Sequence, residues 1–191
     1  ELLDNVPFDV GMRTNDGDRL LTVKHSTSSR PQPEWREVAS LNDEFGYEVP
    51  HERPFPLLGR ASELVEGLLA GGAQRVVAFD YGVMTTAALA ERGGWLRTYR
   101  QHERGDDPFV EPGQWDITTD LAVDQFPPPD RCTTQAEFLV EHGIEALVDE
   151  GRSYWTSHAA APDLTAMRMR SRVREAEALL DPDGLGGFLC L

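Results

Sequence analysis

The segment Arg75-Val76-Val77-Ala78-Phe79-Asp80-Tyr81-Gly82 constrains the fold most. A continuous run of apolar, β-branched and aromatic residues stops at an acid, an aromatic and a glycine. Runs of this length suit a strand buried on both faces, as in the middle of a parallel sheet. In such sheets, ligands bind beyond the carboxyl ends of the strands. The run therefore predicts a buried strand over residues 75–80 and a site at Asp80, Tyr81 and Gly82. The plainer alternative is a strand end that turns, with Asp80 capping the next helix and Gly82 relieving the backbone.

The flanking sequence agrees with an α/β layered pattern. Ser62 is positioned to cap a helix over about 62–70, with Leu64, Val65, Leu68 and Leu69 on one stripe and Gly71-Gly72 as the stop. Thr85 and Thr86 precede an Ala-rich helix over 87–92, closed by Gly93-Gly94. Towards the N-terminus, Glu1-Leu2-Leu3-Asp4 reads as a helical turn ended by Pro7. Extended segments on either side of Asn15-Asp16-Gly17 predict a hairpin. Residues 26–36 read as a polar, proline-bearing loop, and 45–49 as another extended piece.

Beyond the central run, residues 95–99 and 115–123 read as strands. The polar stretch 102–114 between them is a loop. Thr134 caps a helix with Phe138, Leu139, Ile144 and Leu147 inward and Gly143 as an interruption. Residues 163–180 form a long amphipathic helix whose arginines are a solvated face with i,i+4 partners. Gly187–Leu191 is a short apolar strand. The pattern is read as a single domain over 1–191, with a hairpin and loop insertion at about 9–58.

Composition narrows the function. The net charge of −15 disfavours nucleic acid or an anionic membrane as partner, because phosphate binding needs basic patches. Two cysteines, Cys132 and Cys190, without CxxC spacing argue against a disulfide framework or a zinc site, and fit a reducing, cytoplasmic location. No apolar run approaches the roughly 20 residues of a bilayer span. There is no Gly-rich phosphate loop, no HExxH and no GxSxG elbow.

Two pairs of residues carry candidate chemistry. Glu1 and Asp4 are three apart, so a helical turn points both carboxylates one way, where they could hold a guanidinium or ammonium group. They could equally be acids favouring a helix N-terminus. Tyr99 and His102, three apart after a strand, are a candidate hydrogen-bonding pair, although a histidine there is more often a surface residue.

Four blocks, in order, resemble the MidA-type S-adenosylmethionine-dependent methyltransferases. Residues 1–9, Glu-Leu-Leu-Asp-Asn-Val-Pro-Phe-Asp, are similar to the family's NELLDxLPxD segment. Asp80-Tyr81-Gly82 matches its strand ending in Asp-Tyr-Gly, and residues 94–102, Gly-Trp-Leu-Arg-Thr-Tyr-Arg-Gln-His, match its G-x-L-R-x-Y-x-x-H run. Asp107-Pro108, Pro112-Gly113 and Asp116-Ile117-Thr118 match its DP…PG…D-[IL]-T stretch.

The resemblance implies a Rossmann-like class I methyltransferase sheet, mostly parallel with an antiparallel C-terminal strand. It implies S-adenosylmethionine as cofactor. The acceptor would be a nitrogen, a protein arginine above all, on a protein or small molecule. Glu1 and Asp4 would be catalytic, with Glu1 also facing the methyl donor. Asp80, Tyr81, Gly82, Tyr99, His102, Asp116 and Thr118 would bind the acceptor. The family's Gly-rich donor loop would lie upstream of Glu1, in sequence expected to be removed or carried elsewhere. The reading leaves room for a homodimer. The competing reading is a non-catalytic binding or assembly module that keeps the fold and docks a basic partner on its acidic face.

Overall fold

The computed structural model describes residues 3–26, 29–41, 47–105, 107–111 and 113–191. The chain is α/β and divides into two compact units, residues 1–129 and 130–191.

The first unit opens with a 3-10 turn, Leu3–Asn5. Strands β1 (Asp9–Thr14) and β2 (Gly17–Ser26) then form the hairpin expected around Asn15-Asp16-Gly17, with Thr14 opposite Gly17. Gly17 holds φ +131°, a conformation that costs glycine little. Strand β3 (Ser29–Val38) pairs antiparallel with β2 where the sequence suggested a loop. It is the edge of a sheet ordered β3-β2-β1-β4, and an edge accommodates Pro31 and Pro33 because one side of the strand needs no partner. Strand β4 (Phe55–Leu57) completes that sheet. Of the extended piece expected at 45–49, residues 45 and 46 lie outside the described residues, and Tyr47, Glu48 and Val49 are not in a strand.

Helix α1 spans Gly59–Ala70 and stops at Gly71-Gly72, as expected. Ser62 is not its cap but a buried residue of its first turn, donating its N–H to the Leu58 carbonyl. Of the predicted stripe only Val65 packs against the core: Leu64, Leu68 and Leu69 are exposed, while Leu58 and Ala61 join the core. The helix starts three residues earlier than predicted, and its first turn is the part that meets the core.

The central run is a second difference. Only Phe79–Asp80 (β5) is a strand, residues 75–78 carry no ladder, and Val77 is 43% exposed. An apolar run is buried on both faces only where neighbours cover both, and here Val77 has solvent on it. Next come β6 (Gly82–Val83) and α2 (Thr86–Arg92). Thr85 caps α2 by accepting the Ala88 N–H. Strands β7 (Leu96–Arg100), β8 (Glu103–Gly105), β9 (Asp116–Thr119) and β10 (Leu121–Ala122) close the unit.

β6 and β10 run parallel, but the ladders β1–β2, β1–β4, β2–β3, β7–β8 and β7–β9 are antiparallel. The mostly parallel Rossmann-like sheet implied by the resemblance is therefore not what the described strands form. Tight turns such as Asn15-Asp16 and Gln101-His102 return the chain beside itself, which makes antiparallel neighbours; parallel ones need a long crossover.

The core of this unit holds Leu3, Leu58, Ala61, Leu89, Trp95, Leu121 and Ala122, with a second cluster around Tyr47 and Phe55. Gln125 ties it together. Its Oε1 accepts the Leu58 N–H, and its amide nitrogen donates to the Pro56 carbonyl and to Thr86 Oγ1.

The second unit contains β11 (Thr133–Thr134), α3 (Gln135–Glu141), α4 (Ile144–His158), α5 (Leu164–Leu180) and β12 (Leu189–Cys190). Thr134 and Glu137 form a reciprocal capping box at the start of α3. Gly143, at φ +86°, separates α3 from α4. Leu147 faces solvent and Val148 takes the buried position. A Cβ on Gly151 would lie 3.0 Å from the Met169 carbonyl oxygen, so glycine there permits the close approach of α4 and α5. Of the arginines on α5, Arg170 lies over the Trp155 ring and Arg172 pairs with Glu150. Among the described residues no helix is long and apolar enough to cross a membrane.

Candidate functional site

A cleft of about 350 Å3 in the first unit is lined by Asp4, Asn5, Tyr81, Arg97, Tyr99, Asp116 and Thr118. Strand register builds its floor. Arg97 stands opposite Thr118, and Tyr99 opposite Asp116, across the β7–β9 ladder. Side chains alternate along a strand, so these four share one face. Thr98, between Arg97 and Tyr99, goes to the other face and is 1% exposed.

The N-terminal turn supplies a second wall, and Asp80 holds it there. Asp80 Oδ2 accepts the backbone N–H groups of Leu3 at 3.1 Å and Asp4 at 3.2 Å, while Oδ1 accepts the Tyr81 N–H at 2.9 Å. The first N–H groups of a helical turn have no internal partner, so a carboxylate satisfies them. Leu3 is buried in the core beneath. Asp4, itself buried, accepts a hydrogen bond from the Asn5 amide. Burial pushes the Asp80 carboxyl above the usual carboxylate range, the Asp4 charge pushes it further, and the N–H groups of Tyr81 and Asp4 hold it back.

Arg97 and Tyr81 form the remaining wall. The guanidinium carbon lies 4.4 Å from the centre of the Tyr81 ring, a cation–π contact. Arg97 also pairs with Asp120, which Arg92 of α2 clasps from the other side. Burial holds the Asp120 carboxyl above the usual carboxylate range, and Arg97 and Arg92 offset only part of that rise.

The structure thus brings together Asp4, Tyr81, Tyr99, Asp116 and Thr118 of the sequence-derived candidates. Asp80 is 2% exposed and acts from behind the cleft. Gly82 pairs with Leu121 in the β6–β10 ladder. His102 lies in the two-residue β7–β8 turn at φ +68°, exposed and not among the lining residues. Glu1 lies outside the described residues. Sequence reasoning missed Asn5, Arg97 and Asp120. The signal for Arg97 was present: strand alternation over Leu96–Tyr99 puts it beside Tyr99.

Chemically the cleft offers two carboxylates, two phenols, a threonine hydroxyl and one arginine that is already paired. Such a set suits a cationic guest: carboxylates offset its charge and aromatic rings add cation–π attraction. Among the described residues no group of three or more His, Cys, Asp or Glu is placed to hold a metal ion.

The model of one protein family matches residues 1–126, and its description is "Putative S-adenosyl-L-methionine-dependent methyltransferase". The chain belongs to this family. Among solved structures, one COG1565 superfamily member from Burkholderia thailandensis, bound to S-adenosyl-homocysteine, is similar over 100% of this chain and 50% of its own, at 20% identity and a TM-score of 0.74. A native structure of a COG1565 superfamily protein from the same organism is similar over 99% of this chain and 52% of its own, at 20% identity and a TM-score of 0.73. At such identity the likeness is one of fold. The chain spans about half the length of these neighbours. No curated protein matches it.

S-adenosylmethionine is the cofactor of the family. The lining residues fit part of it: Asp4, Asp116 and the two tyrosines suit a sulfonium cation. The volume is at the low end for a ligand pocket, which runs from about 300 to 1,000 Å3. The acidic and aromatic lining of the cleft fits the charged end of the cofactor.

Proposed function

We propose that this chain supplies the acceptor-side wall of a MidA-type S-adenosylmethionine-dependent methyltransferase that methylates a nitrogen on a protein or small molecule, with a protein arginine as the first candidate. One observation supports this most. The Asp-Tyr-Gly tip and the N-terminal acidic turn, 76 residues apart, are joined by hydrogen bonds and border one cleft.

When bound, S-adenosylmethionine supplies an electrophilic methyl group on a positively charged sulfur. Asp4 and Asp116 orient the acceptor nitrogen and offset the positive charge that grows on it as the new bond forms. A guanidinium rarely gives up its proton, so carboxylates that aim it do more here than a general base. Tyr81 and Tyr99 pack against the acceptor and keep water away. Glu1 shares the role of Asp4 on this reading. The neighbour that holds S-adenosyl-homocysteine supports the cofactor, and the acidic cleft supports the sign of the acceptor.

The test is isothermal calorimetry of the native protein with S-adenosylmethionine, followed by methyl transfer to arginine-bearing peptides. Binding with transfer, lost in Asp4→Asn and Glu1→Gln variants that stay folded, is the expected result. No heat at millimolar cofactor would instead favour a non-catalytic module that docks basic partners on its acidic face, a reading to which the net charge of −15 lends weight.

A further inference from the structure

Asp120 is not among the residues that line the cleft, yet it pairs with Arg97, which is. It follows the last residue of β9, is 6% exposed, and is tethered through its backbone N–H to the Trp95 carbonyl. Its Oδ1 lies 2.5 Å from an Arg97 nitrogen, and its Oδ2 accepts from Arg92. Arg97 is the one cationic side chain among the lining residues, and its own side chain is 14% exposed. Among the described residues, Asp4 and Arg104 also act on the Asp120 charge. Charges in such half-buried surroundings interact several-fold more strongly than in bulk water.

We infer that Asp120 is a positioning residue that acts through Arg97: it pins the guanidinium against the Tyr81 ring and offsets part of its charge, so that Asp4 and Asp116 set the sign of the cleft and select a cationic ligand. Without Asp120, the full Arg97 charge would offset part of the Asp4 and Asp116 charge and weaken the attraction for such a ligand. The choice of a cationic ligand rests on the proposed function. The sign of the cleft can be measured with no ligand at all.

The experiment compares relaxation of backbone amide protons by a cationic aminomethyl nitroxide and an anionic carboxy nitroxide, on isotope-labelled protein. The reporters are Asn5, Tyr99 and Thr118, with Ser171 on α5 as the distant reference. In Asp120→Asn the cation-to-anion ratio at the three reporters should fall by about two-fold or more, with Ser171 unchanged. The double variant Asp120→Asn with Arg97→Met should bring the ratio back to the wild-type value, which a merely structural role for Asp120 would not do. Arg97→Met alone should raise the ratio, and this variant decides the matter if Asp120→Asn fails to fold. An unchanged ratio in Asp120→Asn or in Arg97→Met, or a double variant as low as Asp120→Asn, would overturn the inference. Failure to bind S-adenosylmethionine would count against the proposed function and leave these ratios as they are.

Discussion

Asp80 reaches across 76 residues of sequence to accept the backbone N–H of Asp4 at 3.2 Å. The same oxygen accepts from Leu3, so one carboxylate fixes both the turn and the core residue beneath it. Replacing Asp80 by Ala leaves three backbone N–H groups without that acceptor. The expected cost is about 2–3 kcal/mol, measured by urea denaturation. Loss of S-adenosylmethionine-dependent transfer should accompany it, since Asp4 loses its anchor.

The pH dependence of stability separates Asp80 from Asp18. Burial and the Asp4 charge raise the Asp80 carboxyl above its unfolded value. Its contribution is therefore fully present below the usual carboxylate range and is lost as pH rises through the raised value. Asp18 is the reverse. Arg13 binds it through two hydrogen bonds and holds its carboxyl low, so its contribution is present above the usual range and is lost as pH falls through the lowered value. Subtracting the profile of Asp80→Asn from wild type should show stability falling with rising pH just above the carboxylate range. The same subtraction with Asp18→Asn should show stability rising with pH below it.

How much of this was legible in the sequence depends on the range of the forces involved. The Asn15-Asp16-Gly17 hairpin, the Thr134 cap and the Gly143 break depend on a few neighbouring residues, and each formed where local chemistry put it. The strand over 75–80 and the inward stripe on α1 depended on what covers them, which no local pattern reports; Val77 and Leu68 are exposed. The parallel sheet was read from the apolar run and from a family likeness, and gave way to hairpin geometry. At the site, Asp116 and Thr118 were found through motif blocks and Tyr99 through its spacing as well; Arg97 lay within a matched block but its place in the cleft needed the strand register, and Asp120 emerged only once ion pairing was known.

Gln125 offers a test of the core of the first unit. It is 3% exposed, and its side chain makes three hydrogen bonds, to Leu58, Pro56 and Thr86. Gln125→Ala leaves those groups unpaired in a dry place, at an expected cost of about 2–4 kcal/mol. Thermal unfolding monitored by circular dichroism reads it directly.

Gly105 sits where β8 passes β7 and Trp115. A Cβ there would lie 2.6 Å from Thr98 Oγ1 and 2.6 Å from the Trp115 ring. Gly105→Ala should therefore destabilise the β7–β8–β9 sheet by about 1–3 kcal/mol and shift tryptophan fluorescence. Gly113→Ala, where a Cβ would meet nothing within 4 Å, should leave the Trp115 environment as it is and cost only the strain of its positive φ.

The most direct test of the acceptor's placement is methyl transfer from labelled S-adenosylmethionine to arginine-bearing peptides by the native protein, compared between wild type and Asp4→Asn. Labelled peptide with wild type, and a loss of about ten-fold or more in kcat/KM for a folded Asp4→Asn variant, is the predicted result. Equal transfer by the two proteins, or none by either with the cofactor bound, would contradict the placement of the acceptor in this cleft.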